Sequence, residues 1–451
     1  MISTLTSSAF RSELLRWSST ERLSLREHPS VRGADGRPLL LVGPSADAPP
    51  KLALHALATP CAAEDVLPAD ATAALACSWQ DDADGDGAAL PLVHLWEDQW
   101  RFQRPIVSSR LLAMNGRSRR IFARKTSVRR IDAATLERFL REHHLWGPTQ
   151  ARFRYGLFVQ GGADDDNDDD GEQPVAVASF SPRRHVMRGG ERYRSHELIR
   201  YCSRRGVSVV GGISKLLSAF VTEMTPDDVV TVVDRDWGEP RRDEQPPSPS
   251  PSHTSHPTPP HPPSTCRAHR CRLTCCHRVA HACARPMRAC TTTTGAASGW
   301  ATLGFEPVSQ MPPATFFVGP DGARCHAMGT GRNPHRRQLP PELLDAFFEE
   351  RQRQRESVAA GPGHSRGPGT AEDPEAEAAL AVFLQRRGYY AVNDAGAKRL
   401  ALLLKRPPAA ADGDGDGEGD AAPLSAAELW AQSSPRYPDE LYLGALHRES
   451  A

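Results

Sequence analysis

Long apolar runs are the first thing this 451-residue chain lacks. Nothing in it approaches the roughly 20 consecutive apolar residues of a membrane-spanning helix, so a soluble intracellular protein with no membrane partner is expected. Net charge is lacking too: 55 Lys and Arg balance 55 Asp and Glu, so overall charge says nothing about partners. Hydrophobic residues make up 39% and aromatics 6%, with a mean hydropathy of −0.49. Such a composition supports one main core with much non-folding sequence around it rather than several compact domains.

Paired cysteine knuckles are missing as well. Six of the ten cysteines (Cys266, Cys271, Cys275, Cys276, Cys283 and Cys290) lie among His269, His277 and His281 in a Pro/Ser/Thr/His-rich stretch, 239–298. A closed zinc site needs paired ligands, and no such pairing appears, so no metal site is assigned. Cys61, Cys77, Cys202 and Cys325 form no even framework, which fits a reducing compartment. The acidic turn at 81–87 mimics a calcium loop, with Asp82, Asp84, Asp86 and Gly87 in register. Its twelfth position is Val93, where a bidentate Glu is required, so the site fails.

What is present divides the chain as follows. Residues 1–90 show little periodicity and read as a poorly ordered N-terminal region, with a strand at 38–42 and a helical turn at 52–58. The first twenty residues, rich in Ser and Thr with spaced Arg, are compatible with a plastid or mitochondrial transit peptide; Glu13 and Glu21 count against it and leave a plain disordered or short helical start as the alternative. Order begins near residue 91. Strands are expected at 92–96, 122–131, 153–159 and 174–180, and helices after Glu97 and after the N-cap Asp132. The acidic run 164–170 reads as a swollen hairpin loop. The ordered part runs to 238, is interrupted by the insert 239–298, and resumes over 299–326 with a strand at 315–318. A linker, 327–374, carries a short helix at 341–351; a helix at 376–387 and a strand pair within 389–404 complete 375–405. The tail, 406–451, reads as disordered apart from a helix at 426–432.

Residues 197–217 organise the rest. A buried strand (Leu198, Ile199, Tyr201) passes through a basic turn into a helix whose start carries Gly211, Gly212 and Ser214. Ile213, Leu216, Leu217, Phe220 and Met224 then recur at helical spacing. A helix start of this kind aims free N–H groups and a positive dipole end at one spot, an anion site. The alternative is that the glycines only let helix and sheet pack closely. The apolar run 229–233 follows as a buried parallel strand, making a βαβ unit.

Read across the insert, from Asp234-Arg235-Asp236-Trp237-Gly238 to Gly299-Trp300-Ala301-Thr302-Leu303-Gly304-Phe305, this half resembles a Gcn5-related N-acetyltransferase (GNAT) fold. There a pyrophosphate loop, Q/R-x-x-G-x-G/A, precedes a helix, and a Y-x-x-x-G-F element follows the next strand. Here Val209-Val210-Gly211-Gly212-Ile213-Ser214 occupies the loop. Val209 replaces the leading Gln/Arg, Ser214 the last Gly/Ala, and Trp300 the Tyr that serves as general acid; an indole N–H is no acid near neutral pH. The motif order L-V-H-L-W-E-D-Q-W, F-A-R-K-T, F-L-x-x-H-H-L-W-G, E-L-I-R-Y-C-S, D-R-D-W and V-N-D-A-G-A-K-R-L over residues 91–405 is also similar to the region after the nuclease core in phage and giant-virus homing endonucleases of the Vsr/Hef-like type. Residues 1–90 offer no strand-borne acidic pair for a metal-dependent nuclease, so the resemblance implies an accessory domain whose nuclease is lost or eroded.

The fold class expected is therefore α+β, a GNAT-like mixed sheet flanked by helices with long disordered insertions. The resemblance implies an acyl-CoA-dependent N-acyltransferase, with acetyl-CoA or another acyl-CoA against Ile199 and Tyr201, its pyrophosphate at Val210, Gly211, Gly212, Ile213, Ser214 and Lys215, and an unknown amine acceptor. Such an enzyme needs a base for the amine. Glu197 is the first candidate and His196 the second; the alternative is that Glu197 only pairs with Arg194 or Arg235. Cys202 reads as a small core residue, His143 and His144 as helix caps or substrate contacts, and Asp234 and Arg235 as pocket residues or an internal ion pair. From a different class comes a non-enzymatic nucleic-acid-binding module, using the basic band 117–130 with Arg119, Arg120, Arg124 and Lys125; the alternative for that band is a solvated face.

Overall fold

The computed structural model describes residues 2–81, 90–159, 173–237, 299–326, 338–359, 374–405 and 425–433. The acidic turn at 82–87, the acidic loop 164–170, the Cys-rich insert, and the linker and tail segments 327–337, 360–373, 406–424 and 434–451 lie outside the described residues.

The chain opens with helix α1 (Ile2–Thr20), strands β1 (Ser24–Arg32), β2 (Pro38–Gly43) and β3 (Leu52–Leu57), helix α2 (Ala71–Asp81), strand β4 (Leu92–Trp96) and helix α3 (Glu97–Met114). Next come β5 (Arg119–Phe122), β6 (Thr126–Arg130), α4 (Ala133–His143), β7 (Phe153–Val159), β8 (Ala176–Phe180), β9 (Arg184–Arg188) and β10 (Glu191–Ser203). Then follow β11 (Val207–Val210), α5 (Gly212–Met224), β12 (Asp228–Asp234), α6 (Gly299–Thr302), β13 (Glu306–Met311), β14 (Thr315–Val318) and β15 (Arg324–His326). The last are α7 (Pro341–Ala359), α8 (Pro374–Gln385), β16 (Tyr390–Asn393), β17 (Ala397–Leu403) and α9 (Ala426–Ala431). The protein is α+β: mixed sheets flanked by helices. No helix among the described residues is long and apolar enough to cross a membrane.

Residues 2–81 are not the poorly ordered segment that weak periodicity predicts. They form two helices and three strands that, with β4, make a four-stranded sheet, β1-β2-β3-β4, antiparallel except for the parallel β3–β4 pair. The Ser/Thr-rich start is α1, whose Phe10, Leu14 and Trp17 are buried with Leu54, Val93 and Trp100 in one core. Trp17 meets Trp100 edge to face at 5.2 Å, a geometry favoured by ring quadrupoles. The expected helical turn at 52–58 is the strand β3, buried at all six positions. A strand covered on both faces has no polar alternation, so its period is invisible in the sequence.

A larger sheet has the order β13-β17-β12-β10-β8-β7-β6, with β9 paired to the first half of β10. β10 and β12 are parallel and joined through α5, so the βαβ unit expected from the sequence is present. Phe220 of α5 stacks on Phe180 of β8 with centroids 3.8 Å apart, within a core that includes Tyr155, Leu198 and Val229. Asp132 caps α4 as expected, accepting from the Thr135 N–H at 2.7 Å, and Leu136, Phe139 and Leu140 cover the opposite face of the sheet. The single strand expected at 122–131 is two strands in different sheets, β5 and β6, separated by a 3₁₀ turn, Ala123–Lys125. The strand pair expected at 389–404 is likewise divided: β17 joins the large sheet, whereas β16 joins a three-stranded sheet with β14 and β15.

One segment ties these layers together. At the end of β12 the Asp236 carbonyl accepts from the His94 N–H of β4 at 2.7 Å, and its carboxylate accepts from the Ala395 N–H at 2.7 Å. The Arg235 N–H donates to the Gly396 carbonyl, and Trp237 enters the core of the four-stranded layer. Beside it, Arg324 of β15 makes two hydrogen bonds, 2.8 and 3.0 Å, to the buried Asp98 of α3.

Three carboxylates are confined here. Burial pushes Asp234 and Asp236 upward, Asp236 further because Asp234 and Asp394 are near. Burial, aided by Asp234, pushes Asp394 up to about 6. A carboxyl raised on folding stabilises the fold below its unfolded pKa, and that contribution is lost as pH rises through the folded value. His94, held well below its usual value by burial beside His55, has the opposite sense: its contribution is present at high pH and lost as pH falls.

Asp394 accepts from the Ala314 and Gly396 N–H groups through one oxygen, which an amide preserves. Asp394→Asn is therefore expected to raise stability at pH 7.5 by about 1–2 kcal/mol. Its advantage over the wild type should shrink from about pH 6 down to about pH 4, as read by urea unfolding at stepped pH. A variant less stable at pH 7.5 would contradict the assignment.

Candidate functional site

β10 and β12 pair along four rungs, from Ser195↔Asp228 to Leu198↔Thr231, and the Thr231 hydroxyl donates to the Leu198 carbonyl at 3.0 Å at the last of them. Beyond it they part. β10 takes in an extra residue between Leu198 and Arg200 and continues with β8 to Ser203↔Ala176, the local bend a bulge produces. β12 continues with β17 to Asp234↔Ala397. Central strands of a sheet covered on both faces are ordinarily buried, yet Glu197, Ile199, Val232 and Val233 are only half-buried. The parting leaves an opening in the middle of the sheet.

Glu197 sits at this opening. Its N–H donates to the Ser181 hydroxyl at 2.8 Å. Burial raises its carboxyl pKa, opposed by the guanidinium groups of Arg184, Arg200 and Arg399. The alternative partners expected for it are committed elsewhere: Arg194 is bidentate to Asp227, and Arg235 donates to the Ala395 carbonyl and the Cys77 sulfur. His196, one residue earlier, necessarily points to the other face. It is fully buried against Phe153 and Phe220, with Nδ1 3.1 Å from the Ser181 carbonyl. The structure does not bring these two candidate bases together.

The glycine turn lies on the α5 side of the same strands. Val210 ends β11, and Gly211 is left-handed at φ 74°, a conformation glycine adopts without strain. Among the described residues no side chain caps the first turn of α5, so the N–H groups of Gly212, Ile213 and Ser214 have no capping partner there. A Cβ on Gly212 would lie 2.8 Å from the Tyr201 hydroxyl, which places that phenol against the turn. Lys215 is turned away from it: its ammonium donates to the Ala123 carbonyl at 2.8 Å and to that of Thr126, and its N–H to the Gly211 carbonyl.

The basic band is divided by the fold. β5 pairs in parallel with β11, Arg119↔Val207 to Phe122↔Val210, so Arg119, Arg120, Arg124 and Lys125, all exposed, flank the approach to the glycine turn. Arg117 instead reaches the N-terminal layer, donating to the carbonyls of Glu21, Arg22 and Pro44. Arg130 pairs with Glu223, which also accepts from the Tyr155 hydroxyl, clamping β6 and β7 to α5.

Other candidates are structural. Cys202 is buried, donates to the His143 carbonyl, and is pushed up to about 12 by burial, so it carries no thiolate near neutrality. The His144 ring accepts from the Trp146 N–H at 3.0 Å in the turn after α4. Asp234 accepts from the Trp146 indole and the Asp236 N–H. Sequence reasoning missed Arg184, Arg200 and Arg399, which belong to three separate strands; no local pattern announces a cross-strand cluster. No family model, curated protein or solved structure matches the chain.

Lys215→Met keeps the aliphatic stem but removes the ammonium that ties α5 to the Ala123 and Thr126 carbonyls, the first of which still accepts from the Thr126 hydroxyl. It is expected to lower stability by about 1–2 kcal/mol in urea unfolding, whereas Ser214→Ala, at an exposed position one residue earlier, should change it by less than about 0.5 kcal/mol. Equal effects would remove the clamp role of Lys215.

Proposed function

We propose that the large sheet is a GNAT-like acyltransferase domain that binds acetyl-CoA or another acyl-CoA and presents an amine to it. The observation that carries this reading is the parting of β10 and β12 after Leu198 and Thr231, next to a helix start whose N–H groups are uncapped. The residues present fit the cofactor. The exposed Gly211 lets a diphosphate approach the backbone, whereas Gly212, whose Cβ would meet Tyr201 and Val209, serves close packing of helix on strand. The exposed Arg119, Arg120, Arg124 and Lys125 supply positive charge beside the turn.

Bound there, acyl-CoA supplies an activated thioester carbonyl. The chain's own contribution is Glu197: a carboxyl whose pKa burial has raised is a better proton acceptor for an attacking amine than an ordinary surface carboxylate. Trp300, packed on Phe305, offers no proton to a leaving thiolate, so this reading assigns no general acid.

A second reading, a nucleic-acid-binding module derived from a homing endonuclease, is favoured by one observation: four exposed cations share the β5 ribbon and the turn after it. In the N-terminal layer β2, β3 and β4 contain no Asp or Glu, so those strands offer no carboxylate for a nuclease metal.

Calorimetry on the full chain separates the two. Acetyl-CoA should bind, and Ser214→Glu, which puts a negative charge at an exposed position of the first turn of α5, should weaken binding about tenfold or more while leaving the urea midpoint of the chain in place. No heat at about millimolar ligand, together with salt-dependent DNA binding that disappears when Arg119, Arg120 and Lys125 are neutralised, would replace the first reading by the second.

A further inference from the structure

Three arginines missed in the sequence share the Glu197 face of the sheet. Arg184 is opposite Ser195 on β9 and β10, Arg200 opposite Ser179 on β10 and β8, and Arg399 opposite Ser309 on β17 and β13. Directly opposed residues project to one face, and Ser195 and Glu197, two apart on β10, share it. All three guanidinium groups act on the Glu197 carboxyl. Each is thus paired across strands with a serine, and each of the three serine hydroxyls is buried without a hydrogen-bond partner; Ser179 and Ser195 are 0% exposed. On the same face the Asp228 carboxylate, opposite Ser195, takes one bond from Arg188 and keeps its second oxygen unpartnered.

Buried polar atoms are ordinarily satisfied, and exceptions point to a missing partner. This cluster has both signs of charge: guanidinium groups that match an oxyanion, and a half-exposed carboxyl that matches an amine. Trp430 of α9, 4.4 Å from Arg188 and 5.4 Å from Arg399, covers the β17 side, where both arginines are buried, whereas Glu197, Arg184 and Arg200 keep partial solvent access.

We propose that this face binds a small amine whose scaffold carries an oxyanion, carboxylate or phosphate, with the oxyanion on Arg184 and Arg200, the buried Arg399 behind them adding positive charge, and the amine at Glu197. That such an amine is the acyl acceptor rests on the acyltransferase reading; the binding itself does not.

Calorimetry on the full chain without acyl-CoA tests it, using β-alanine (amine and carboxylate), phosphoethanolamine (amine and phosphate) and n-propylamine (amine alone). At least one of the first two should bind, about tenfold or more tighter than n-propylamine, and the tighter of the two identifies the oxyanion. Arg184→Gln and Arg200→Gln, both at half-buried positions, should each weaken that binding about tenfold, with unchanged urea midpoints showing that the variants fold. Glu197→Gln should weaken the amine-bearing ligands while inorganic phosphate binds more tightly, because a repelling charge has gone. The proposal is overturned if neither oxyanion ligand binds at about 10 mM, if n-propylamine binds as well, or if both arginine variants bind as the wild type does. Because no acyl-CoA is in the cell, failure here leaves acetyl-CoA binding intact, and loss of acetyl-CoA binding alone leaves this site standing.

Discussion

The structure depends on a four-residue polar joint, Asp234–Trp237, at the end of β12. It ties the large sheet to two other parts of the fold: the Asp236 carbonyl and Trp237 to the N-terminal layer, at β4 and the core around Trp100, and the Asp236 carboxylate and the Arg235 N–H to the turn between β16 and β17. Sheets ordinarily join by burying apolar area, which tolerates sliding. Directional bonds to buried carboxylates do not slide, and an unmatched one is costly. The expense is visible in the upward displacement of Asp236 and Asp394 and is offset by matched partners such as Arg324 on Asp98.

This joint also accounts for the opening in the large sheet. β12 is drawn at its C-terminal end toward the N-terminal layer and β17, while β10, bent by its extra residue, keeps to β8. Two parallel strands with different commitments must separate, and residues that would be core become half-buried. The candidate site is thus a consequence of how layers are joined rather than of any single motif. The glycine turn lies on one side of the parted strands and the Glu197 cluster on the other. That disposition suits two ligands meeting at the opening, and it underlies the proposed acyl transfer.

Local structure was well legible where patterns are one-sided. The Asp132 cap, the amphipathic α4 and α5, and the βαβ unit through Gly211 all follow from periodicity and capping chemistry. It failed where a segment is covered on both faces or where neighbours in sequence part company. The six buried residues of β3 have no period, and β16 and β17, three residues apart, belong to different sheets. Glu197 and the glycine turn could be named from their strand and helix, but His196 could not be told from a site residue, because both faces of β10 carry polar side chains.

By itself, then, the sequence determined the α+β class, the starts of α3, α4 and α5, the strand carrying Glu197 and the glycines that open α5, since each is set by residues within a few positions. Only the tertiary structure decided that residues 2–81 fold as a sheet, that the basic band splits between a clamp and an exposed ribbon, and that Arg184, Arg200 and Arg399 converge on Glu197. Those outcomes rest on pairings and contacts between segments as distant as Asp228 and Leu403, and no local preference encodes such a pairing.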